Sequence, residues 1–305
     1  MKFGYGAAPW MRNNHLENFY RMLDEMSLEG IDGIELCYQD YRRWYGHKPQ
    51  EFRRLLEMHE IELASYYCGV GFRTPELNAE SVERAKDTYR FAAELGCKNA
   101  LIDEAGGRLP LPCDMPDYVK RVAEGANEMG RFVKSLGMTL SWHNHWGSIF
   151  ETPEPFNLFV PELDNDLCGL CFDVGQLKLG GFDEVETVRR YTDRVKFMHY
   201  KDVTFVGRPN KPLYAGGPNI PSDSGAYDVD SKGRWIEMGR GEVDFVGITA
   251  ALREVNYDGW IVDDLDITPY DPRVSLRACK EYLNYGLGIW TEKDKRLGLA
   301  PADAK

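Results

Sequence analysis

The stretch Met138-Thr-Leu-Ser-Trp-His-Asn-His145 joins an apolar run to two histidines at the point where a predicted strand ends. Three further apolar runs end in polar residues in the same manner: the first ends in Asp173, the second in His199 and the third in the pair Asp263-Asp264. Carboxylates and imidazoles at strand ends indicate a divalent-metal site, because a rigid scaffold then holds oxygen and nitrogen donors. Strand ends also collect polar residues simply where the chain meets solvent, and this alternative stays open.

Short β-prone runs alternate with amphipathic segments through most of the chain, which is typical of repeated βα units and a parallel sheet. The predicted strands cover residues 3–8, 33–37, 62–67, 99–103, 139–143, 167–173, 195–199 and 260–264. Apolar residues at helical spacing predict helices over residues 16–28, 51–59, 81–95, 118–136, 183–191, 246–255 and 274–285. Eight strands predict an α/β fold, a single-domain (β/α)8 TIM barrel over residues 1–290.

One segment, residues 203–243, interrupts this rhythm because it contains no clear helix and is rich in Gly, Pro, Asn and Asp. A loop this long is usually functional, and after the seventh strand it would emerge on the face where barrel active sites lie. We therefore predict a lid or an oligomer contact. The alternative is a disordered insertion, although Tyr214, Tyr227 and Trp235 could anchor it. We expect the tail, residues 291–305, to be loosely ordered.

Composition excludes several classes of protein. The 305 residues carry a formal net charge of −12, which opposes binding to nucleic acid, since that rests on clustered Lys and Arg. No apolar run approaches the roughly 18 residues that span a bilayer, so we expect no membrane anchor. The N-terminus enters a strand without the features of a secretory signal, which favours a cytoplasmic protein.

Several motifs carry a family resemblance along nearly the whole chain. They are Gly30-Ile-Asp-Gly33-Ile-Glu35-Leu36, Phe172-Asp-Val-Gly-Gln176, Met198-His-Tyr-Lys-Asp202 and Gly259-Trp-Ile-Val-Asp-Asp264. With these motifs the chain resembles the xylose isomerase-like barrels, which include sugar isomerases, epimerases and inosose dehydratases. The resemblance implies a metal held by Glu, Asp, His and Glu from the fifth to the eighth strands.

Only Asp173 and His199 match that ligand pattern by residue type. At the eighth strand the usual Glu is the shorter Asp264, and at the fifth the epimerase pattern Glu-Asn-His becomes His143-Asn144-His145. The His-x-His-x-Gly pattern followed by a Glu is similar to the inosose dehydratase branch. There the resemblance implies that Glu151 takes the missing ligand position, while His143 is either a direct ligand or a second acid or base.

The resemblance and these residues together favour a lyase that abstracts a proton next to a ketone and then performs β-elimination. His145 is the predicted base, because an imidazole can both take a proton and return it to a leaving group. Lys201 could contact the substrate oxygen. The expected cofactor is a divalent metal, with Mn²⁺ the first choice and Mg²⁺, Co²⁺ or Zn²⁺ as alternatives.

The substrate would be a keto sugar, a keto cyclitol or a 3-oxo-C-glycoside. The last option follows a further resemblance, to the large subunit of C-glycoside deglycosidases, and implies a small partner subunit. Candidate substrate-binding residues are Glu35, Glu104, Tyr67, Trp142 and Trp146, although the carboxylates could instead support a ligand from behind and the aromatic rings could serve packing. A sugar isomerase or epimerase is the main alternative, and a non-catalytic sugar-binding barrel is another. We also expect an oligomer.

Overall fold

Eight parallel strands close into a barrel in the computed structural model, which describes residues 1–11, 15–37, 45, 48–105, 107, 111–205, 228–229 and 233–302. The bounds are β1 Lys2–Gly6, β2 Gly33–Cys37, β3 Glu62–Val70, β4 Asn99–Glu104, β5 Thr139–His143, β6 Cys168–Asp173, β7 Val195–Tyr200 and β11 Trp260–Asp263. Around the barrel the order is β1-β11-β7-β6-β5-β4-β3-β2. The predicted (β/α)8 barrel is confirmed.

Helices alternate with these strands along the chain. Their bounds are Leu16–Leu28, Pro49–Met58, Pro75–Glu94, Met115–Ser135, Pro153–Phe159, Val174–Gly180, Glu184–Arg190, Phe245–Glu254, Pro272–Glu281 and Glu292–Arg296. The seven predicted helices are present. The largest difference is at the helix predicted to begin at residue 81, which begins at Pro75 because Thr74 caps it by accepting a hydrogen bond from the Leu77 backbone (3.2 Å). None of the described helices combines the length and apolar character that crossing a bilayer requires.

The two faces of each barrel strand bury different sets of residues. Successive side chains of a strand point to opposite faces. One set fills the barrel interior, where Ala64, Tyr67, Leu101, Cys171, Phe197 and Val262 form a separate apolar cluster. The other set packs against the helices in the main core. Each of the interior residues Cys171, Phe197 and Val262 is followed two positions later by a polar residue, and these polar residues are Asp173, His199 and Asp264. Because alternate residues of a strand share a face, their side chains point into the barrel mouth.

The segment after β7 contains regular structure that the sequence did not predict. Strand β8, Asp202–Phe205, pairs antiparallel with β10, Gly233–Ile236, which also pairs with β9, Asp228–Val229. Trp235, one of the three proposed anchors, is buried in β10. Tyr214 and Tyr227 lie outside the described residues. A role as a lid stays a prediction.

The described part of the segment after Trp290, residues 291–302, contains a helix where the sequence predicted a loosely ordered tail. Thr291 caps the helix Glu292–Arg296 and forms a reciprocal capping box with Asp294. The Asp294 carboxylate is buried and accepts a hydrogen bond from Lys280 Nζ at 2.9 Å. Contacts with distant residues therefore order this segment, and such contacts leave no periodic signal in a short polar stretch.

Asp32 joins the start of the barrel to this C-terminal helix. Its carboxylate accepts hydrogen bonds from the backbone N–H of Phe3 (3.0 Å) and of Glu292 (2.8 Å). Asp32→Ala would leave both donors without their acceptor. We predict that the free energy of unfolding falls by about 1–3 kcal/mol, measured by urea denaturation.

The matched control for this variant is Asp193→Ala, since Asp193 is exposed. Its substitution should change the free energy of unfolding by less than about 0.5 kcal/mol. Equal losses in the two variants would contradict the linking role of Asp32.

Candidate metal centre

Four side chains at the barrel mouth form the one group among the described residues whose donor atoms suit a metal ion. His143, Asp173, His199 and Asp264 each offer an atom within 4.8 Å of the others. We call these four residues the ligand cluster. His143 and Asp173 end β5 and β6, His199 lies on β7, and Asp264 follows β11. Neighbouring strand register places Asp173 beside His199, so consecutive strands bring the donors together.

The imidazoles of the ligand cluster have nitrogen atoms that lack hydrogen-bond partners among the described residues. These buried atoms are Nδ1 and Nε2 of His143 and Nδ1 of His199. His143 Nε2 lies 3.6 Å from Asp173 Oδ2, and His199 Nδ1 lies 3.4 Å from Asp264 Oδ2. Buried polar atoms normally find partners. A divalent cation between imidazoles and carboxylates would satisfy them, and two nitrogen and two oxygen donors fit such an ion.

The charge states of three members of the ligand cluster, His143, Asp173 and Asp264, also suit a cation. Burial alone would raise the pKa of Asp264, but the charges of Lys201 and His199 hold it far below its usual value. Burial likewise opposes ionisation of Asp173, and Lys201 and His143 lower its pKa. Burial lowers the pKa of His143, which favours the neutral imidazole that binds metal. Both carboxylates are therefore ionised, and His143 has a lone pair to offer.

Two amide side chains hold Asp173 in place, and sequence reasoning missed both roles. Asn144 Oδ1 accepts from the Asp173 backbone N–H (2.9 Å), and Asn144 Nδ2 donates to the Asp173 carbonyl (3.0 Å). The backbone N–H of Gln176 donates a hydrogen bond to Asp173 Oδ1 (3.0 Å), and the side-chain Nε2 of Gln176 donates one to Asp173 Oδ2 (2.8 Å). Asp173 is thus the N-cap of the helix that follows it. The Asp-x-x-Gln spacing is the signal that could have identified Gln176.

Glu35 lies behind His199. Its Oε2 atom is 2.9 Å from His199 Nε2 and accepts a hydrogen bond from Ser65 Oγ. Burial disfavours charge on His199, but neighbouring Cys171, Glu35 and Asp264 raise the pKa of His199 well above its usual value. A carboxylate on one imidazole nitrogen orients the other toward a metal. Of the two roles considered for Glu35, this geometry favours support of a ligand.

Glu151, the predicted fifth-strand ligand, is not brought into the ligand cluster. Its Oε2 atom accepts a hydrogen bond from the Gly147 backbone N–H at 2.9 Å. The chain turns at Gly147, which has a φ of +91°. The Glu151 carboxylate therefore stabilises the loop in which it lies, by its hydrogen bond to this turn. The alternative, in which His143 is the fifth-strand donor, agrees with the geometry.

The groups predicted for proton transfer and substrate contact line a cavity beside the ligand cluster. His145 is half-buried, with its ring centroid 5.7 Å from that of His143. Tyr67 meets the His143 ring edge-on, with 5.4 Å between centroids. Lys201 also lines the cavity, and Asp266, to which the sequence assigned no role, lies beside it. The full lining is Gly6, Ala7, Ala8, Glu35, Cys37, Tyr67, His143, His145, His199, Lys201, Asp264 and Asp266.

Three other predicted site residues lie elsewhere. Glu104 accepts a hydrogen bond from Tyr118 Oη in the helix layer (2.9 Å). Trp142 packs against Phe159, with 4.4 Å between ring centroids. Glu104 and Trp142 each neighbour, along their strand, a residue that faces the barrel interior, so their own side chains point toward the helices. Trp146 packs against a small cluster formed by Leu179, Val203, Trp235 and Leu265.

Asp263, noted with Asp264 at the end of the eighth barrel strand, also lies outside the ligand cluster. Burial raises the pKa of Asp263 to about 8, and the Cys279 thiol of the helix layer opposes this shift by hydrogen bonding to it. Asp263, the last residue of β11, therefore faces the helix layer, and of the pair only Asp264, which follows the strand, lines the cavity.

Known proteins resemble this chain over most of its length. An inosose dehydratase of Geobacillus kaustophilus is 28% identical over 302 residues, covering 92% of this chain and 94% of the relative. The solved structure of a protein described as IolI with a bound zinc atom has a TM-score of 0.72 at 16% identity, covering 93% of this chain and 97% of that one. The probable 3-DHS dehydratase AsbF of Bacillus anthracis has a TM-score of 0.69 at 15% identity, covering 93% and 99%.

At these identities the two structures show a shared fold. A model of one protein family matches residues 23–267, which is most of the barrel. The chain belongs to the xylose isomerase-like TIM barrel family.

Proposed function

We propose that this protein is a metal-dependent lyase that acts on a keto cyclitol or keto sugar. It would remove a proton from the carbon next to the carbonyl and eliminate the group on the following carbon. The ligand cluster, with four donor atoms within 4.8 Å of one another, is the observation that carries the proposal. The inosose dehydratase relative, aligned over 92% of this chain, supports elimination as the reaction class.

His145 is the proposed base. It borders the cavity beside the ligand cluster and is absent from that cluster, so its imidazole stays available for proton transfer. The electrons of the broken C–H bond would form a C=C bond while the leaving group departs. His145 would then return its proton to that group, which leaves as water or an alcohol. Lys201 Nζ, on the same cavity wall, would donate a hydrogen bond to the substrate oxygen.

A bound divalent ion would supply Lewis-acid polarisation of the substrate carbonyl. His143, Asp173, His199 and Asp264 would hold it. Two carboxylates and two imidazoles accept Mn²⁺, our first choice, and also Mg²⁺, Co²⁺ or Zn²⁺. Tyr67 would give an aromatic face to the substrate ring.

An epimerase would use paired carboxylates on the two faces of one carbon. The family pattern for that reaction has Glu at the fifth strand, where this chain has His143, so the structure offers a histidine in place of one of the two carboxylates. Elimination through one imidazole is therefore the reaction that we favour.

The reaction itself is tested by incubating the Mn²⁺-loaded protein in D₂O with scyllo-inosose and, separately, with a 3-oxo-C-glucoside. A chelator then removes the paramagnetic ion before proton NMR. We expect loss of water from the inosose. Release of the aglycone from the glucoside would instead identify a deglycosidase. Deuterium exchange with scrambled stereochemistry and no elimination would contradict a lyase and identify an epimerase.

Two substitutions separate proton transfer from metal binding. His145→Ala should lower kcat at least about 100-fold, as loss of a general base does, while the bound metal per chain stays at the wild-type value. Asp173→Ala should lose both activity and metal. Bound metal is measured by elemental analysis after dialysis, and turnover by the NMR assay.

The exposed His15 provides a matched control for the first substitution. His15→Ala should retain wild-type metal content and turnover. Near-normal activity of His145→Ala would show that another group is the base, and a metal-replete Asp173→Ala would contradict the ligand cluster.

A further inference from the structure

The Lys201 ammonium lies among three carboxylates at the barrel mouth. Its Nζ atom is 2.8 Å from Asp264 Oδ2, 2.8 Å from Asp266 Oδ2 and 3.4 Å from Asp173 Oδ2. The side chain is 1% exposed. Solvent therefore screens the interactions with Asp173 and Asp264 weakly, and Lys201 neutralises part of the negative charge that these two carboxylates bring into the site.

Two of these three carboxylates belong to the ligand cluster, and Lys201 contacts the very oxygen atoms that face the histidines. Asp173 Oδ2 also lies 3.6 Å from His143 Nε2, and Asp264 Oδ2 lies 3.4 Å from His199 Nδ1. A cation bound by the ligand cluster would therefore share its oxygen donors with the ammonium. Like charges at such close range repel strongly in a site with little water.

The surroundings of Lys201 keep the ammonium from leaving the site. Asp266 is 47% exposed and is not part of the ligand cluster, so it can hold the ammonium when Asp173 and Asp264 bind another ion. The Trp235 ring lies under Nζ, 4.9 Å from its centroid, which adds a cation–π interaction. Lys201 thus has a carboxylate partner outside the ligand cluster, Asp266, and an aromatic ring, Trp235, beneath its ammonium.

We infer that Lys201 sets the affinity of the metal centre: its ammonium takes the place of the metal in the metal-free protein and, retained by Asp266, weakens binding of the incoming ion. The inference rests on the metal centre of the proposed function. It gives Lys201 a role in metal binding that is separate from any contact with substrate.

The test is titration of the metal-free protein with Mn²⁺ alone, and then with Zn²⁺ alone, by isothermal calorimetry. Lys201→Met should bind each ion at least about tenfold more tightly than wild type, because the competing charge is gone. The difference should persist in high salt, since the site is buried. Without metal the variant should unfold at a lower temperature than wild type, and metal should raise that temperature by more.

Lys280 offers a matched control, since it is also a buried lysine that is paired with a carboxylate. Lys280 Nζ lies 2.9 Å from Asp294 Oδ1, and its partner belongs to the C-terminal helix and not to the ligand cluster. Lys280→Met should lower stability with and without metal to the same extent and leave the metal Kd unchanged. Lys201→Gln removes the same charge as Lys201→Met with a polar side chain, and it serves if the methionine variant is insoluble.

Equal or weaker metal binding after removal of the Lys201 charge would overturn this inference while leaving the metal centre intact. Absence of binding by both the wild type and the Lys201 variants would overturn the inference together with the metal centre. Both outcomes are measured as metal binding and not as turnover, so the result can be interpreted even if the lyase assay shows no activity.

Discussion

Buried negative charge at the C-terminal ends of the strands is the constraint on which the barrel mouth depends. Asp173 is fully buried and the Asp264 side chain is 16% exposed, yet both are held in the ionised form by Lys201 and histidine neighbours. Ionised carboxylates remain buried only when they are paired and hydrogen-bonded. The amides of Gln176, the ammonium of Lys201 and the imidazole of His199 supply those partners, and Lys201 and His199 also line the proposed reaction site.

The alternation of side chains along each strand brings these charged residues together at the barrel mouth. In β5, β6 and β7, and just beyond β11, the residue that continues the interior set is a carboxylate or an imidazole, and the adjacent residue packs against the helices. His143 and Trp142 show the contrast, since the first faces the cavity and the second is buried against Phe159. The same alternation separates Asp264 from Asp263. A change of one residue in register would thus exchange the ligand cluster for core side chains.

The sequence predicted much of the fold because hydrophobic period is a local property. Strands over residues 33–37 and 139–143 and the helix over residues 16–28 have the predicted bounds. It did not predict the partner of Glu151, because that partner is a backbone N–H created by the turn at Gly147. The helix Glu292–Arg296 was missed for a similar reason, since Lys280 and Asp32 stabilise it from distant parts of the chain. Long-range contacts of this kind leave no pattern in a short stretch of sequence.

Anomalous diffraction from crystals soaked in Zn²⁺ would show whether the ligand cluster binds a metal ion. We expect one strong peak at the barrel mouth, bonded to His143, Asp173, His199 and Asp264 at about 2.0–2.2 Å, the distance usual for zinc with nitrogen and oxygen ligands. A peak coordinated by Glu151 with His143 turned away, or no peak among these four side chains, would contradict this expectation.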